Sequence, residues 1–375
     1  MICRVCERSA SIEVVDLGEQ YLSGYFPSPG EVVPKSRLRL VACRMCGLVQ
    51  LDSNVPPSML YGDSYGYRSS LNKSMVSHLS ELASKVKYYA ELEPNDLIVD
   101  IGSNDGTFLK NFTCKKIGID PTAKKYREFY DKDTEVIPHL FHKTYIPRRA
   151  KAITSIAMFY DLEDPIKFAM DVYQSLDHGG IWAIEVANFP KLMAQGIYDN
   201  ICHEHIEYYG IRQLKLILEK TGFSIIDVSY NDVNGGSIQV IASKSQSGTE
   251  FEVSLEPTNR DYDRYTRKVE SHALRLREVV REYKPAGFGA STKGNTVLQY
   301  CGFTKNDIPF IVDVNPDKWG KETPGSHIPI VKEGQAEHYL VLPWHFRDNI
   351  LANNPDKNFI FPFPNVEVLD AVHTV

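Results

Sequence analysis

The sequence contains no run of about 18 apolar residues, which excludes a helical membrane span. It also lacks any block of lysine and arginine. Its 42 basic residues against 48 acidic ones leave a net charge of −6, which argues against a phosphate-tracking nucleic-acid surface but leaves room for a local basic pocket. No long apolar stretch follows the opening MICRVCERSA, so no secretory leader is expected and the chain is expected in the cytoplasm, where thiols stay reduced. Repeats and low-complexity tracts are missing too. No nucleic acid and no membrane is expected as a partner; a small molecule is, with the chain a monomer or weak homo-oligomer. With 375 residues, 43% hydrophobic and 24% charged, the chain exceeds the size of a single core and reads as two large domains plus a small one.

Cysteine is sparse, at seven residues, and four of these form two close pairs, Cys3-x-x-Cys6 and Cys43-x-x-Cys46. Each pair can present two thiolates to a tetrahedral metal, so together they close a zinc site with no open position. Such a zinc is structural, and it compensates for a module, residues 1–70, whose short apolar runs and many prolines promise little core. Cys114, Cys202 and Cys301 are isolated and read as core residues. From Asn72 to Ala90 one helical face carries Met75, Leu79, Leu82, Ala83 and Val86. Strand-like segments then recur at 97–102, 115–120, 152–157, 180–186 and 237–243, the alternating pattern of a parallel sheet, so 71–255 reads as an α/β domain. The charged, Gly- and Pro-free segment 259–284 is a helical connector to a second α/β unit within 256–375.

Three segments carry chemistry. Asp100, Gly102, Asn104 and Gly106 lie in VDIGSNDG, an acid and two glycines on the turn that leaves a strand. This is where open α/β sheets hold cofactors. The spacing is not that of a dinucleotide fingerprint and offers no pyrophosphate cradle, but it suits adenosine bearing an amino acid. Asp120, ending the next strand, can accept from both ribose hydroxyls. The second segment, YDNICHEHIEYY at 198–209, concentrates histidines, acids and tyrosines. A second metal is disfavoured, because H-E-x-x-H is absent. General acid–base work fits better, with a histidine poised near neutral pH and Glu204 fixing its tautomer. Third, in GFGASTKGN at 287–295 the exposed amides, Ser291 and Lys293 can hold a diphosphate at a helix start, although the loop is not a Walker motif.

Together with YRSS at 67–70, NDVNGGS at 231–237 and DVNPDKWGKETPGSHIPI at 313–330, these segments resemble the sugar C-methyltransferases, whose best-known members are 3-C-methyltransferases of nucleotide-linked 4-keto-deoxyhexoses. The resemblance spans nearly the whole chain. It implies a zinc module, a central Rossmann-like domain that binds S-adenosylmethionine, and a C-terminal Rossmann-like domain that helps bind a dTDP- or GDP-linked sugar. It implies His205 as general base, Glu204 as the acid beside it and Tyr67 near the sugar, with Asn234 among the substrate contacts. The chain departs from the family at Cys202-His203 and at Tyr160, where other members carry different polar residues. Tyr67, Tyr160 and His203 are the expected donors to the developing oxyanion. O-methylation of a sugar nucleotide, or a zinc-bearing protein without catalysis, are the competing readings.

Overall fold

A computed structural model describes residues 1–61, 66–253 and 257–371; the expected boundary at 255/256 lies outside them. Strands β1 (Ser11–Tyr21), β2 (Lys35–Cys43) and β3 (Val49–Leu51) come first, followed by helices α1 (Pro57–Leu60) and α2 (Lys73–Ala90). The middle of the chain runs β4 (Leu97–Ile101), β5 (Lys115–Ile119), β6 (Thr134–Ile137), β7 (Ala150–Ile156), α3 (Pro165–Ser175), β8 (Leu176–Ala187), α4 (Phe189–Gln195), β9 (Glu207–Tyr208), α5 (Ile211–Lys220), β10 (Ser224–Asn231) and β11 (Ser237–Ser243). The last part holds α6 (Asn259–Tyr283), β12 (Ala286–Phe288), α7 (Thr292–Tyr300), β13 (Ile311–Val312), β14 (Ile330–Val331), β15 (His338–Val341), α8 (Arg347–Asn353), β16 (Asn358–Phe361) and β17 (Glu367–Leu369).

These strands form three sheets. The central one has the order β10-β11-β8-β7-β4-β5-β6, and it is mixed rather than parallel: β11 runs antiparallel to both β8 and β10. Along its strands successive residues serve opposite cores. Ile98, Ala152, Ile181 and Ala183 pack under the apolar face of α2, while Val99, Ile153, Trp182 and Ile184 pack under α3 and α5. Helix α2 begins where the Asn72 side chain accepts from the Ser74 amide at 2.9 Å, and it stops at Glu91, which takes the left-handed conformation. The third sheet, β14-β13-β12-β15-β16-β17, is parallel except for β17.

The amino-terminal sheet is β1-β2-β3-β9, so its last strand is contributed by the middle of the chain. Its 11-residue first strand exceeds what the short apolar runs promised. Helix α6 covers this sheet. One face of the helix (Tyr262, Tyr265, Val269, Ala273, Leu276, Val279, Val280) shares a single core with Val14, Leu17, Leu38 and Leu40 on one side and with Ile311, Leu340 and Phe359 on the other. The connector is therefore the common core of the first and third sheets, and Thr266 Oγ1 fastens it to the Val14 carbonyl at 2.7 Å.

Leu276 is fully buried at this junction. Leu276→Ala should lower unfolding free energy by about 2–5 kcal/mol. Urea melts followed by tryptophan fluorescence and by circular dichroism should shift together, because two sheets lose the same contact.

Candidate functional site

The four cysteines sit on two matching turns, in which Glu7 and Gly47 adopt positive φ and donate their amides to the carbonyls of Cys3 and Cys43 at 2.9 Å each. All four Sγ atoms lie within 4.8 Å of one another, with Cys3–Cys46 at 3.5 Å and Cys6–Cys43 at 3.4 Å. A tetrahedron with about 2.3 Å metal–sulfur bonds has sulfur–sulfur edges of roughly 3.8 Å, so this donor set fits zinc with no position left for substrate. The knuckle is docked on α5: Gln213 Nε2 donates to the Cys46 carbonyl at 3.1 Å and Lys220 Nζ to the Val5 carbonyl at 2.9 Å.

A cavity of about 1110 Å³ opens where the carboxyl ends of the central and C-terminal parallel strands meet. On the central sheet it is lined by Asp100, Gly102, Asn104 and Asp120. Gly102 takes φ +79°, and a Cβ there would stand 2.8 Å from Met158 Cγ. Asp120 Oδ2 accepts from the Asn104 amide at 2.8 Å, and Oδ1 accepts from the Thr122 amide at 2.6 Å. Oδ1 also accepts from Thr122 Oγ1 at 2.5 Å, so Oδ2 is the oxygen that keeps a second lone pair. Burial raises the pKa of Asp120, and it pushes that of Asp100 up to about 7, against the hydrogen bond from Thr154 Oγ1 at 2.5 Å. Asn104 holds the YRSS segment over the loop: its side-chain oxygen accepts from the Ser69 amide at 2.9 Å and its amide nitrogen donates to the Tyr67 carbonyl at 3.2 Å. Gly106 does not line the cavity. Its missing Cβ instead admits the Tyr130 ring, 2.6 Å from the Cβ position.

The segment Cys202–His205 is a turn leading into β9, and loop geometry sends its two histidines to different surroundings. His205 lines the cavity, with its ring centroid 4.3 Å from that of Tyr160. Its Nδ1 lies 2.9 Å from the Asn200 carbonyl, which can only accept. The neutral ring is therefore protonated at Nδ1, and Nε2 is left as a base. The tautomer is fixed by a backbone carbonyl rather than by Glu204. Burial first, and then the Lys293 ammonium, lower the pKa of His205 to about 3, so the ring is not poised near neutrality but stays unprotonated through the physiological range. His203 is absent from the cavity wall: its Nε2 meets the Ser36 carbonyl at 3.1 Å in the amino-terminal sheet, and burial lowers its pKa to about 4. The oxyanion role expected of it has no support in this position.

Glu204 lines the cavity with both carboxylate oxygens unpartnered among the described residues, pressed so close to Gly24 that a Cβ there would stand 1.9 Å from Oε1. Burial raises its pKa. Tyr67 is 42% accessible, yet its ring faces the cavity within a large mass of protein, and desolvation pushes its pKa up to about 12. From the C-terminal side come Ser291, whose Oγ caps α7 by accepting from the Gly294 amide at 3.0 Å, and Lys293, whose Nζ donates to the Asn234 carbonyl at 3.0 Å. Ser291, Lys293 and Asn234 all line the cavity.

Two cavity residues escaped the sequence reading. Asn200 acts through its carbonyl, which no side-chain pattern reveals. His345, with Nδ1 unpartnered among the described residues, is held neutral by burial and by Lys293; its place just after the YLVLPW strand was the available signal.

Comparison with known proteins agrees with this arrangement. A zinc-binding domain model matches residues 3–61, a methyltransferase domain model residues 75–228 and a C-methyltransferase C-terminal domain model residues 232–364. The C-methyltransferase NovU of Streptomyces niveus is 30% identical over 413 residues, covering 100% of this chain and 98% of that protein. The chain belongs to the C-methyltransferase family. Among solved structures, an S-adenosylmethionine-dependent methyltransferase from Clostridium acetobutylicum is 12% identical with a TM-score of 0.36, covering 46% of this chain and 92% of that one. Mitomycin 7-O-methyltransferase is 14% identical with a TM-score of 0.38, covering 47% and 56%. By its domain matches and its cysteine cluster, this C-methyltransferase combines an S-adenosylmethionine-dependent methyltransferase fold with a four-cysteine zinc module. No helix of the described residues is long and apolar enough to cross a membrane.

The purified protein should carry one zinc per chain by elemental analysis. The double change Cys43→Ser with Cys46→Ser should abolish it, and less than half an equivalent in the unaltered protein would contradict the site.

Proposed function

We propose that this C-methyltransferase methylates C3 of a dTDP- or GDP-linked 4-keto-6-deoxyhexose through an enolate. The observation that carries the reading is the His205 ring, whose Nδ1 is committed to the Asn200 carbonyl and whose Nε2 keeps an unprotonated lone pair in a cavity shared with Asp120 and Lys293. A keto group acidifies the neighbouring carbon, so His205 Nε2 takes that proton and the enolate carbon becomes the nucleophile. Because imidazole is far weaker than the enolate as a base, the oxyanion needs donors. Tyr160, beside the His205 ring, and Tyr67 supply them as neutral phenols, and the Lys293 ammonium adds a positive field. Asp100, Gly102, Asn104 and Asp120 hold S-adenosylmethionine, with Asp120 accepting from its ribose. When bound, that cofactor supplies an electrophilic methyl on a sulfonium. Ser291, Lys293 and Asn234 contact the sugar nucleotide, with Ser291 and the first amides of α7 facing the diphosphate. Glu204, unpartnered at the wall, serves as a further polar contact to the sugar.

Asp120→Ala should weaken S-adenosylmethionine binding by about 1.5–3 kcal/mol, the range for hydrogen bonds to a charged group. Calorimetric titration measures it, and unchanged affinity would move the cofactor elsewhere.

Proton removal can be read apart from methyl transfer. With a keto-sugar nucleotide in heavy water and S-adenosylhomocysteine in place of cofactor, the enzyme should exchange the C3 proton; His205→Asn should not, whereas His203→Asn should exchange within a few-fold of the unaltered rate. Since the folded pKa of His205 is depressed to about 3, its base form persists as pH falls from 8 to 6, and exchange should show no acid limb near pH 6.5 from this group. Wild-type exchange by His205→Asn would remove it as the base.

A further inference from the structure

We infer that Arg4, set between Cys3 and Cys6 in the zinc knuckle, is a positioning residue for the base: its guanidinium fixes the backbone at Ile206 and so sets His205 against Tyr160 in the cavity. This rests on the reading of His205 as the base and adds to it the residue that holds the rear of its loop.

The loop that carries His205 runs into a very short strand. Two residue pairs join β9 to β3, the last of them Gln50 with Glu207, and a ladder of that length has little stability of its own. Arg4 reaches the position just beyond it. Its Nη1 donates to the Leu51 carbonyl at 3.1 Å and to the Ile206 carbonyl at 3.4 Å, so one nitrogen spans both strands where the ladder stops. The Ile206 oxygen also accepts from the Leu51 amide at 2.9 Å, which its two lone pairs allow. Burial pushes the pKa of Glu207, the next residue, up to about 8, and the Tyr209 hydroxyl and then the field of the same guanidinium oppose that rise. Arg4 is itself held firmly. Its amide donates to Gln50 Oε1 at 3.1 Å while Gln50 Nε2 donates to the Ile2 carbonyl at 3.2 Å, so one β3 side chain grips the backbone on both sides of Cys3. The Asn54 side chain accepts from Nη2.

Of the guanidinium's described acceptors, Leu51, Asn54 and Ile206, the last alone lies outside the amino-terminal module, and it is the residue that bears on the site. Ile206 follows His205 directly. Its amide donates to the Tyr160 carbonyl at 3.0 Å, and the rings of His205 and Tyr160 stand 4.3 Å apart between centroids. A shift at Ile206 therefore moves the base and its neighbouring phenol together. The front of the loop is tied from the C-terminal side, at Asp199 and Ile201, so Arg4 supplies the opposite anchor. A base must stand within hydrogen-bond reach of the proton it takes, and a displacement of about 1 Å is enough to lower the rate strongly while leaving distant binding contacts in place. The knuckle thus holds more than its own module: its first turn carries a side chain that ends one residue from the base.

The test is amide hydrogen exchange by mass spectrometry on the full zinc-loaded chain, read on the peptide spanning 201–208 and, as a control, on β4 and β5. In Arg4→Ala the loop should exchange about tenfold faster or more, with β4 and β5 within about twofold of the unaltered protein and zinc still at one per chain. Proton exchange at C3 of dTDP- and GDP-linked 4-keto-6-deoxyhexoses, with S-adenosylhomocysteine present, should slow about tenfold or more at saturation while the half-saturating concentration stays within about threefold. Arg4→Lys, which keeps the charge but offers one ammonium to three acceptors, should fall between the two proteins in both measurements. Should Arg4→Ala lose its zinc, Arg4→Lys decides by the same readings. Loop exchange equal to that of the unaltered protein, a rise shared alike by β4 and β5, or an unchanged C3 rate overturns the positioning role and leaves His205 as the base. Absence of C3 exchange by the unaltered protein with either sugar nucleotide overturns the reading of His205 and this inference with it.

Discussion

The two-residue pairing of β9 with β3, Val49 with Tyr208 and Gln50 with Glu207, is the constraint on which the site depends. It stretches the preceding loop across three bodies of structure and leaves it no slack. The Leu51 amide donates to the Ile206 carbonyl at 2.9 Å and the Ile206 amide to the Tyr160 carbonyl at 3.0 Å. From the C-terminal side, Thr296 Oγ1 donates to the Ile201 carbonyl at 3.0 Å and Trp344 Nε1 to Asp199 Oδ2 at 2.6 Å. His203, set aside as a catalytic group, belongs to the same lashing through Ser36. A loop so tied presents the His205 ring from nearly rigid backbone, the condition under which positioning contributes most to rate.

The charges around that ring are set by desolvation as much as by pairing. Lys293 loses basicity through burial, yet it donates only to a carbonyl in the described hydrogen bonds; burial first, and then its field, keeps both His205 and His345 neutral. The opposite shift acts on Glu204, Asp100 and Asp120, whose burial favours the acid form. Elsewhere in the wall a buried pair is fully satisfied: Glu185 accepts from His78 at 2.8 Å and from Gln239 Nε2 at 2.6 Å, and it is this pairing that raises the pKa of His78 against its burial. The contrast separates groups built into the scaffold from groups left open to a ligand.

Much of this was legible in the residues. The paired cysteines, the glycine turn of VDIGSNDG and the acid at 120 are local signals, because backbone conformation and ligand spacing are fixed within a few positions. Five strands of the central sheet showed themselves as apolar runs for the same reason. What escaped reading depends on partners distant in sequence: β9, whose two residues are a strand only because β3 lies beside them; the antiparallel setting of β11; and the functions of Gly106 and His203, which are decided by Tyr130 and Ser36. Histidine basicity likewise could not be read from the motif, since it follows from burial and from a lysine that another sheet supplies.

The sharing of β9 and α6 has a consequence for how the chain comes to be folded during synthesis. Strands β1–β3 leave the ribosome before β9 and α6, so their sheet lacks its edge until Glu207 and Tyr208 arrive and its cover until Asn259–Tyr283 has emerged. Until then its apolar face and an open strand edge stand in solvent, the features that invite association with other chains. Metal capture by Cys3, Cys6, Cys43 and Cys46 needs none of the later residues. Beside the ladders of β2 with β1 and β3, the zinc knuckle can pin the turn after β2 during the wait, so this sheet is steadied by an ion while its own cover is still to be translated.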